Sequence, residues 1–229
     1  MNNTEQKKET IFVKSLRGFE KHPYLYALII ITIILSFVVT ISLTLYNERT
    51  KDAVAESYEN VEKVIAEWDK KNDEDKQKEF DNAIKTTNKF LSKYKTGVFH
   101  NRVKFYRGEL YFKQKKYDNA LEDFIAVSKD NSFYLASKAL FNQAVCYENL
   151  NKPDEAIKTY NSYLKSKNNY LAAEALFSIA RIYEFSKDKE NALKYFRQLE
   201  VEFPDSELKD TAKQRILFIE NELVLPYEK

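Results

Sequence analysis

The sequence predicts an all-α protein: a single N-terminal transmembrane helix, then a superhelical array of paired helices closed by a C-terminal capping helix. Three observations carry this. An uncharged apolar run is confined to residues 23–46, and a pattern of aromatic and small residues recurs at an offset of 36 through much of the remainder. The chain also holds only three Gly and four Pro, too few for the tight turns that hairpins and sandwiches need.

Residues 1–22 form a short tail holding Lys7, Lys8, Lys14, Arg17 and Lys21. The run Pro23–Tyr46 (PYLYALIIITIILSFVVTISLTLY) carries no charge. At about 1.5 Å per residue it reaches about 36 Å, more than the roughly 30 Å of bilayer hydrocarbon. Tyr24, Tyr26 and Tyr46 lie near its ends, where amphipathic rings suit the headgroup layer. A cleaved signal peptide has a shorter apolar core and a small-residue cleavage site; here the run is longer and is followed by Asn47-Glu48-Arg49, with no nearby cysteine to carry a lipid. We therefore expect an uncleaved anchor embedded in the lipid bilayer through residues 23–46. Only Arg49 and Lys51 follow the span closely, so the basic bias places the N-terminus in the cytoplasm. In a bacterium, whose AT-rich coding the Lys, Asn, Ile, Tyr and Phe content suggests, the remainder would face the periplasmic side of the inner membrane.

After the span the charges balance. Residues 1–46 hold five Lys/Arg against three Asp/Glu, which leaves 32 of each in the rest. A neutral domain lacks the basic footprint that the phosphate backbone demands, so no nucleic-acid partner is expected. Roughly 70% of the unfolded surface of a domain this size is buried on folding, enough for a core without staples. None is available as a disulfide, since Cys146 is the one cysteine.

Residues 47–100 read as a degenerate first helix pair. Val54, Tyr58, Val61, Ile65 and Trp68 share one helical face, and Phe80, Ala83, Ile84, Thr87, Phe90, Leu91 and Tyr94 another, with Asn72–Lys76 as the loop between them. Residues 101–204 hold three clear units. YLASKALFNQA at Tyr134–Ala144 recurs as YLAAEALFSIA at Tyr170–Ala180, and Phe105, Tyr111, Ala120 and Phe124 answer Phe141, Tyr147, Ala156 and Tyr160 one period on. Small residues at Gly108, Ala144 and Ala180 let two helices approach, and Ala120, Ala156 and Ala192 face them. Residues 205–229 hold the capping helix, with Leu208, Ala212, Ile216, Ile219 and Leu223 on one face and Asp205 or Ser206 as its cap.

The repeat resembles the tetratricopeptide repeat, a helix-turn-helix with a small residue then Tyr on its first helix and Ala then Phe on its second. Gly108, Tyr111, Ala120 and Phe124 fall at the family spacing; Leu140, Ala144, Tyr147, Ala156 and Tyr160 follow, then Leu176, Ala180, Tyr183, Ala192, Phe196 and the closing Pro204. Lys104 stands where Trp is common, Arg107 and Gln143 where Leu is usual, and the period is 36 instead of 34; the two extra residues are expected between units. The resemblance implies a concave, partner-binding groove lined by Arg102, Phe105, Glu109, Phe112, Lys138, Phe141, Val145, Glu148, Glu174, Phe177, Arg181 and Glu184. Phe105, Phe141 and Phe177 either anchor a ligand there or pack as core between first helices; the sequence leaves both open. The Lys and Asn set that clamps a chaperone's terminal carboxylate in one branch of the family is missing at these positions.

Catalytic parts are scarce. His22 and His100 are the only histidines, no glycine-rich phosphate loop exists, and Cys146 beside Tyr147 reads as a buried structural thiol. Asp118, Asp154 and Glu190 suit the first turns of their helices, where an acid complements the dipole. No cofactor, metal or enzymatic activity is expected. The layout resembles that of the translocon-associated YfgM-like proteins of the bacterial cell envelope. It implies a membrane-tethered protein–protein interaction scaffold or chaperone-like adaptor holding an envelope or membrane protein; a self-associating solenoid (a homo-oligomer) and a regulatory subunit of a membrane enzyme complex are the alternatives.

Overall fold

The structure, a computed structural model, describes residues 23–70 and 73–221. The basic tail and Leu223 lie outside the described residues. Among those described, the chain is all helix: α1 (Pro23–Asp69), α2 (Asp73–Lys93), α3 (Val98–Lys113), α4 (Tyr117–Ser128), α5 (Ala136–Asn149), α6 (Pro153–Leu164), α7 (Ala172–Phe185), α8 (Lys189–Glu202) and α9 (Leu208–Glu220). Two units divide the chain, Met1–Glu56 and Ser57–Lys229.

In the first unit α1 exposes nearly every side chain from Pro23 to Tyr46, Ile33 at 61% and Phe37 at 67%. By length and composition this helix is a candidate membrane span. Its hydroxyls find partners within the helix: Thr32 donates to the Ile29 carbonyl at 2.8 Å, Thr40 to Ser36 at 2.8 Å and Thr44 to Thr40 at 2.9 Å. Such back-bonding is what an apolar solvent requires of a polar side chain. The division drawn at residue 46 is no break in the backbone, since the helix continues to Asp69; Asn47–Ala53 holds no Gly or Pro that would stop it.

In the second unit the C-terminal part of α1 buries Tyr58, Val61, Val64 and Trp68. Trp68 and Val64 meet Phe80 and Ala83 of α2 and Leu110 of α3 in one cluster. The loop expected at Asn72–Lys76 is shorter than that, because the backbone is already helical at Asp73; acidic residue types suit a helix's first turn as well as a loop. Beyond it each helix packs on its neighbours in sequence, α3 on α4, α5 on α6 and α7 on α8 as pairs, with α9 against α8 and α7. Ala120, Ala156 and Ala192 are completely buried at the crossing of each pair. Gly108 is needed in the first: a Cβ there would meet the Phe124 ring at 2.9 Å.

The turns repeat as strictly as the helices. Lys115, Asn151 and Lys187, 36 residues apart, all adopt positive φ (56°, 55° and 61°). The N–H groups of Lys116, Lys152 and Asp188 then reach back five residues to the carbonyls of Tyr111, Tyr147 and Tyr183, each at 2.9 Å, closing the first helix of every pair. Between units the connections Lys129–Leu135 and Lys165–Leu171 are equally long. At the last helix, Leu208 follows Glu207, which makes no side-chain cap; the Ser206 hydroxyl accepts the Leu208 N–H at 3.2 Å.

Candidate protein-binding groove

The twelve residues expected to line the groove lie on α3, α5 and α7, the first helices of the three pairs. Of the two readings open for Phe105, core packing is the one its burial supports: it is 1% exposed. Its ring lies 5.6 Å from Phe124 of its own pair. Phe141 stands edge-on to Tyr160 at 5.5 Å and to Tyr163 at 5.3 Å, and Phe177 to Phe196 at 5.5 Å. The position therefore packs onto the aromatic of its own second helix in every unit, which is why the residue type recurs. Phe141 and Phe177 nevertheless keep part of their surface exposed.

The charges on this face pair with one another from unit to unit. Lys138 Nζ lies 3.4 Å from Glu109, and Arg181 bonds to Glu148. Arg215 of α9 donates to Glu184 through Nε at 3.0 Å and Nη2 at 2.7 Å, with both side chains largely buried. Glu148 also accepts the Tyr160 hydroxyl at 2.5 Å; burial first, then this carboxylate, push the Tyr160 phenol above its ordinary range. Glu174 is exposed. Arg215 was missed because α9 reads as a cap; the signal was an acid near the end of α5 and of α7, Glu148 and Glu184, each answered by an arginine about one unit later. Arg107, where the family pattern has Leu, makes a bidentate pair with buried Asp123 (Nε 2.8 Å, Nη2 2.6 Å).

Three cavities follow one another along these helices. One of about 280 Å³ opens among Glu109, Phe112, Lys138, Phe141, Asn142 and Val145. The next, about 270 Å³, shares Phe141 and Val145 and adds Glu148, Asn149, Ser178 and Arg181. A third, about 380 Å³, runs from Glu148 and Arg181 to Asn151, Pro153, Ile182 and Phe185. The first is the most apolar in its walls, where Phe112 and Val145 remain partly exposed.

The histidine and the thiol of this part of the chain are both engaged or buried. Among the described residues no group of three His, Cys, Asp or Glu could hold a metal ion. His100 is engaged with the Tyr94 carbonyl at 2.6 Å. Cys146 is buried, and that burial, with Asp118 adding, pushes its thiol up to about 12. A thiol in that state is a poor nucleophile.

Stacked helix pairs with Ala at each crossing and a repeated left-handed turn define a helical-repeat solenoid. The tetratricopeptide repeat family model matches residues 105–170 and 147–207, so the repeats of this stretch are of that type. No curated protein matches the chain. Among solved structures, "MamA AMB-1 C2221" is 26% identical with a TM-score of 0.44 and "MamA MSR-1 C2" 21% with 0.45. The match covers 52% and 59% of this chain and 66% and 68% of theirs, so the chain spans about two thirds of their length. A crystal structure from Bacteroides ovatus ATCC 8483 is 13% identical, with 75% of this chain and 99% of that one covered and a TM-score of 0.40.

Proposed function

We propose that this chain is a membrane-tethered protein-interaction scaffold or adaptor of the bacterial envelope that binds a partner protein along the inner face of α3, α5 and α7 and catalyses no reaction. The observation that carries the reading is the apolar cavity among Phe112, Phe141 and Val145, flanked by charges that are paired with each other, Lys138 with Glu109 and Arg181 with Glu148. A partner entering there displaces water from apolar surface without having to break many ion pairs, and a handful of such anchors dominates most protein interfaces. The remaining groove residues, from Lys138 to Glu184, would set register and orientation. The candidate span supports tethering, and the basic residues ahead of it support a solenoid on the periplasmic side.

The test is the full chain purified from membranes with Val145→Glu and Phe112→Ser together, against Lys158→Glu on the second helix of its unit as control. Loss of the co-purifying protein from a double variant that melts like wild type, with retention by the control, supports the groove. Retention by a well-folded double variant refutes it.

A second reading, self-association, is favoured by a different observation. Phe185, Val201 and Leu217 towards the C-terminal end of the repeats are 70%, 77% and 51% exposed. Light scattering on the detergent-solubilised full chain separates the two: a monomer leaves only the partner reading.

A further inference from the structure

We propose that Arg102, collared by Tyr58, Tyr106 and Tyr134, is a carboxylate-binding site on the inner face of the first complete repeat, taking an acidic side chain or a C-terminal carboxylate of a partner polypeptide. That the ligand is a polypeptide rests on the scaffold reading above.

Residues 57–221 contain five arginines. Four hold a carboxylate: Arg107 holds Asp123, Arg181 holds Glu148, Arg197 holds Glu220 and Arg215 holds Glu184. Arg102 has none among the described residues. Its only hydrogen bond there runs from Nε to the Tyr106 hydroxyl at 3.3 Å, which raises the pKa of the guanidinium further. Among the described residues neither terminal nitrogen has a hydrogen-bond acceptor. The carboxylates bonded to the surrounding cluster are engaged elsewhere, Glu62 by the Tyr58 hydroxyl and Asp130 by Asn101 and Ser132.

What holds Arg102 instead is aromatic. Its guanidinium carbon lies 5.3 Å from the Tyr58 ring, 5.9 Å from Tyr106 and 5.8 Å from Tyr134. Three rings at cation–π distance restrain the guanidinium, and with Nε donating to Tyr106 the two terminal nitrogens form the N–H edge that remains for a ligand. Much of the rotamer freedom that an exposed arginine loses on capturing an anion is therefore lost already in folding. The fork matches a carboxylate with two parallel bonds. A dianion such as phosphate is less suited, since one guanidinium supplies a single positive charge and Glu62 and Asp130 border the collar.

The arrangement is not a by-product of the repeat. The residues one and two periods after Arg102 are Lys138, which pairs with Glu109, and Glu174. Tyr134 has a periodic counterpart in Tyr170, 66% exposed, but no arginine accompanies it. The collar draws Tyr58 from α1 and Tyr134 from the connection before α5, so it exists only where the degenerate pair meets the first complete unit.

The experiment titrates the full chain, in lipid nanodiscs with isotope-labelled arginine, and follows the Arg102 Nε–Hε resonance by NMR, assigned with Arg102→Gln. Four probes are used: N-acetyl-Gly-Glu-Gly amide, N-acetyl-Gly-Gln-Gly with a free C-terminus, the fully neutral N-acetyl-Gly-Gln-Gly amide, and inorganic phosphate. Isolated carboxylates bind weakly, so titration extends into the millimolar range. The expected result is a saturable shift of Arg102 with one or both carboxylate peptides and not with the neutral one. The responding peptide tells side chain from terminus. Tyr134→Leu, an exposed change that leaves the arginine in place, should weaken the response at least about threefold by releasing the guanidinium plane. No saturable shift with either carboxylate peptide, an equal shift with the neutral peptide, or a response to phosphate alone overturns the proposal. Each leaves the scaffold reading to the Val145 and Phe112 variant, which does not touch the collar.

Discussion

Replacing Arg107 by Leu restores the residue common at this position of the repeat, yet it should destabilise the protein. Asp123 has a side chain only 4% exposed, and its two oxygens accept from Arg107 at 2.8 Å and 2.6 Å. Removing the guanidinium leaves a buried carboxylate without its counter-charge, a loss of about 3–5 kcal/mol. The new leucine returns about 1–2 kcal/mol through apolar burial. The net expectation is a loss of about 1–4 kcal/mol, or a urea midpoint lower by about 0.5–2 M for a slope near 2 kcal/mol/M. Trp68, the sole tryptophan and 1% exposed in the cluster shared with Leu110, reports unfolding at this end of the array by fluorescence. Converting both partners, Arg107→Leu with Asp123→Leu, should bring the midpoint to within about 1 kcal/mol of wild type or above it. A single Arg107→Leu variant as stable as wild type would mean that Asp123 reaches water, and the buried-pair account would be wrong.

Three further outcomes are expected. With its thiol pushed up to about 12 by burial, Cys146 is ionised at pH 8 to only about one part in ten thousand; Ellman's reagent should react at least about a thousandfold more slowly in the native state than in urea, and rates within tenfold of each other would contradict the burial. Lys187 at φ 61° bears a side chain where glycine is easier, so Lys187→Gly should raise the melting temperature by a few degrees, about 0.5–1 kcal/mol, and a lower melting temperature would show that the Lys side chain contributes more than its strain costs. Protease added to cells with a permeabilised outer layer should digest the solenoid while cytoplasmic markers survive; its protection would reverse the proposed topology.

The repeat itself was legible in the sequence because its signals are local. Ala at 120, 156 and 192 and a small residue at 108, 144 and 180 answer a steric demand at a helix crossing that recurs every 36 residues, and steric demands of that kind admit few residue types. The long apolar helix was legible for a similar reason: a candidate span is defined by about twenty uncharged residues in a row, whatever the rest of the chain does. Other features depended on partners far apart in the chain. Helix propensity could not show that the Phe105 position packs inward onto Phe124, nor that Arg107, read only as a departure from the pattern, is the counter-charge of Asp123. The positive φ at Lys115 and Lys187 escaped because lysine carries no turn signal of its own; Asn151 at the same position of the middle unit does favour it, and the geometry is imposed in all three by the carbonyls left open at each helix end. The collar around Arg102 draws on residues 58, 106 and 134; periodicity fixes which face a residue occupies, whereas only the stacking of one pair on the next decides which rings surround a given charge.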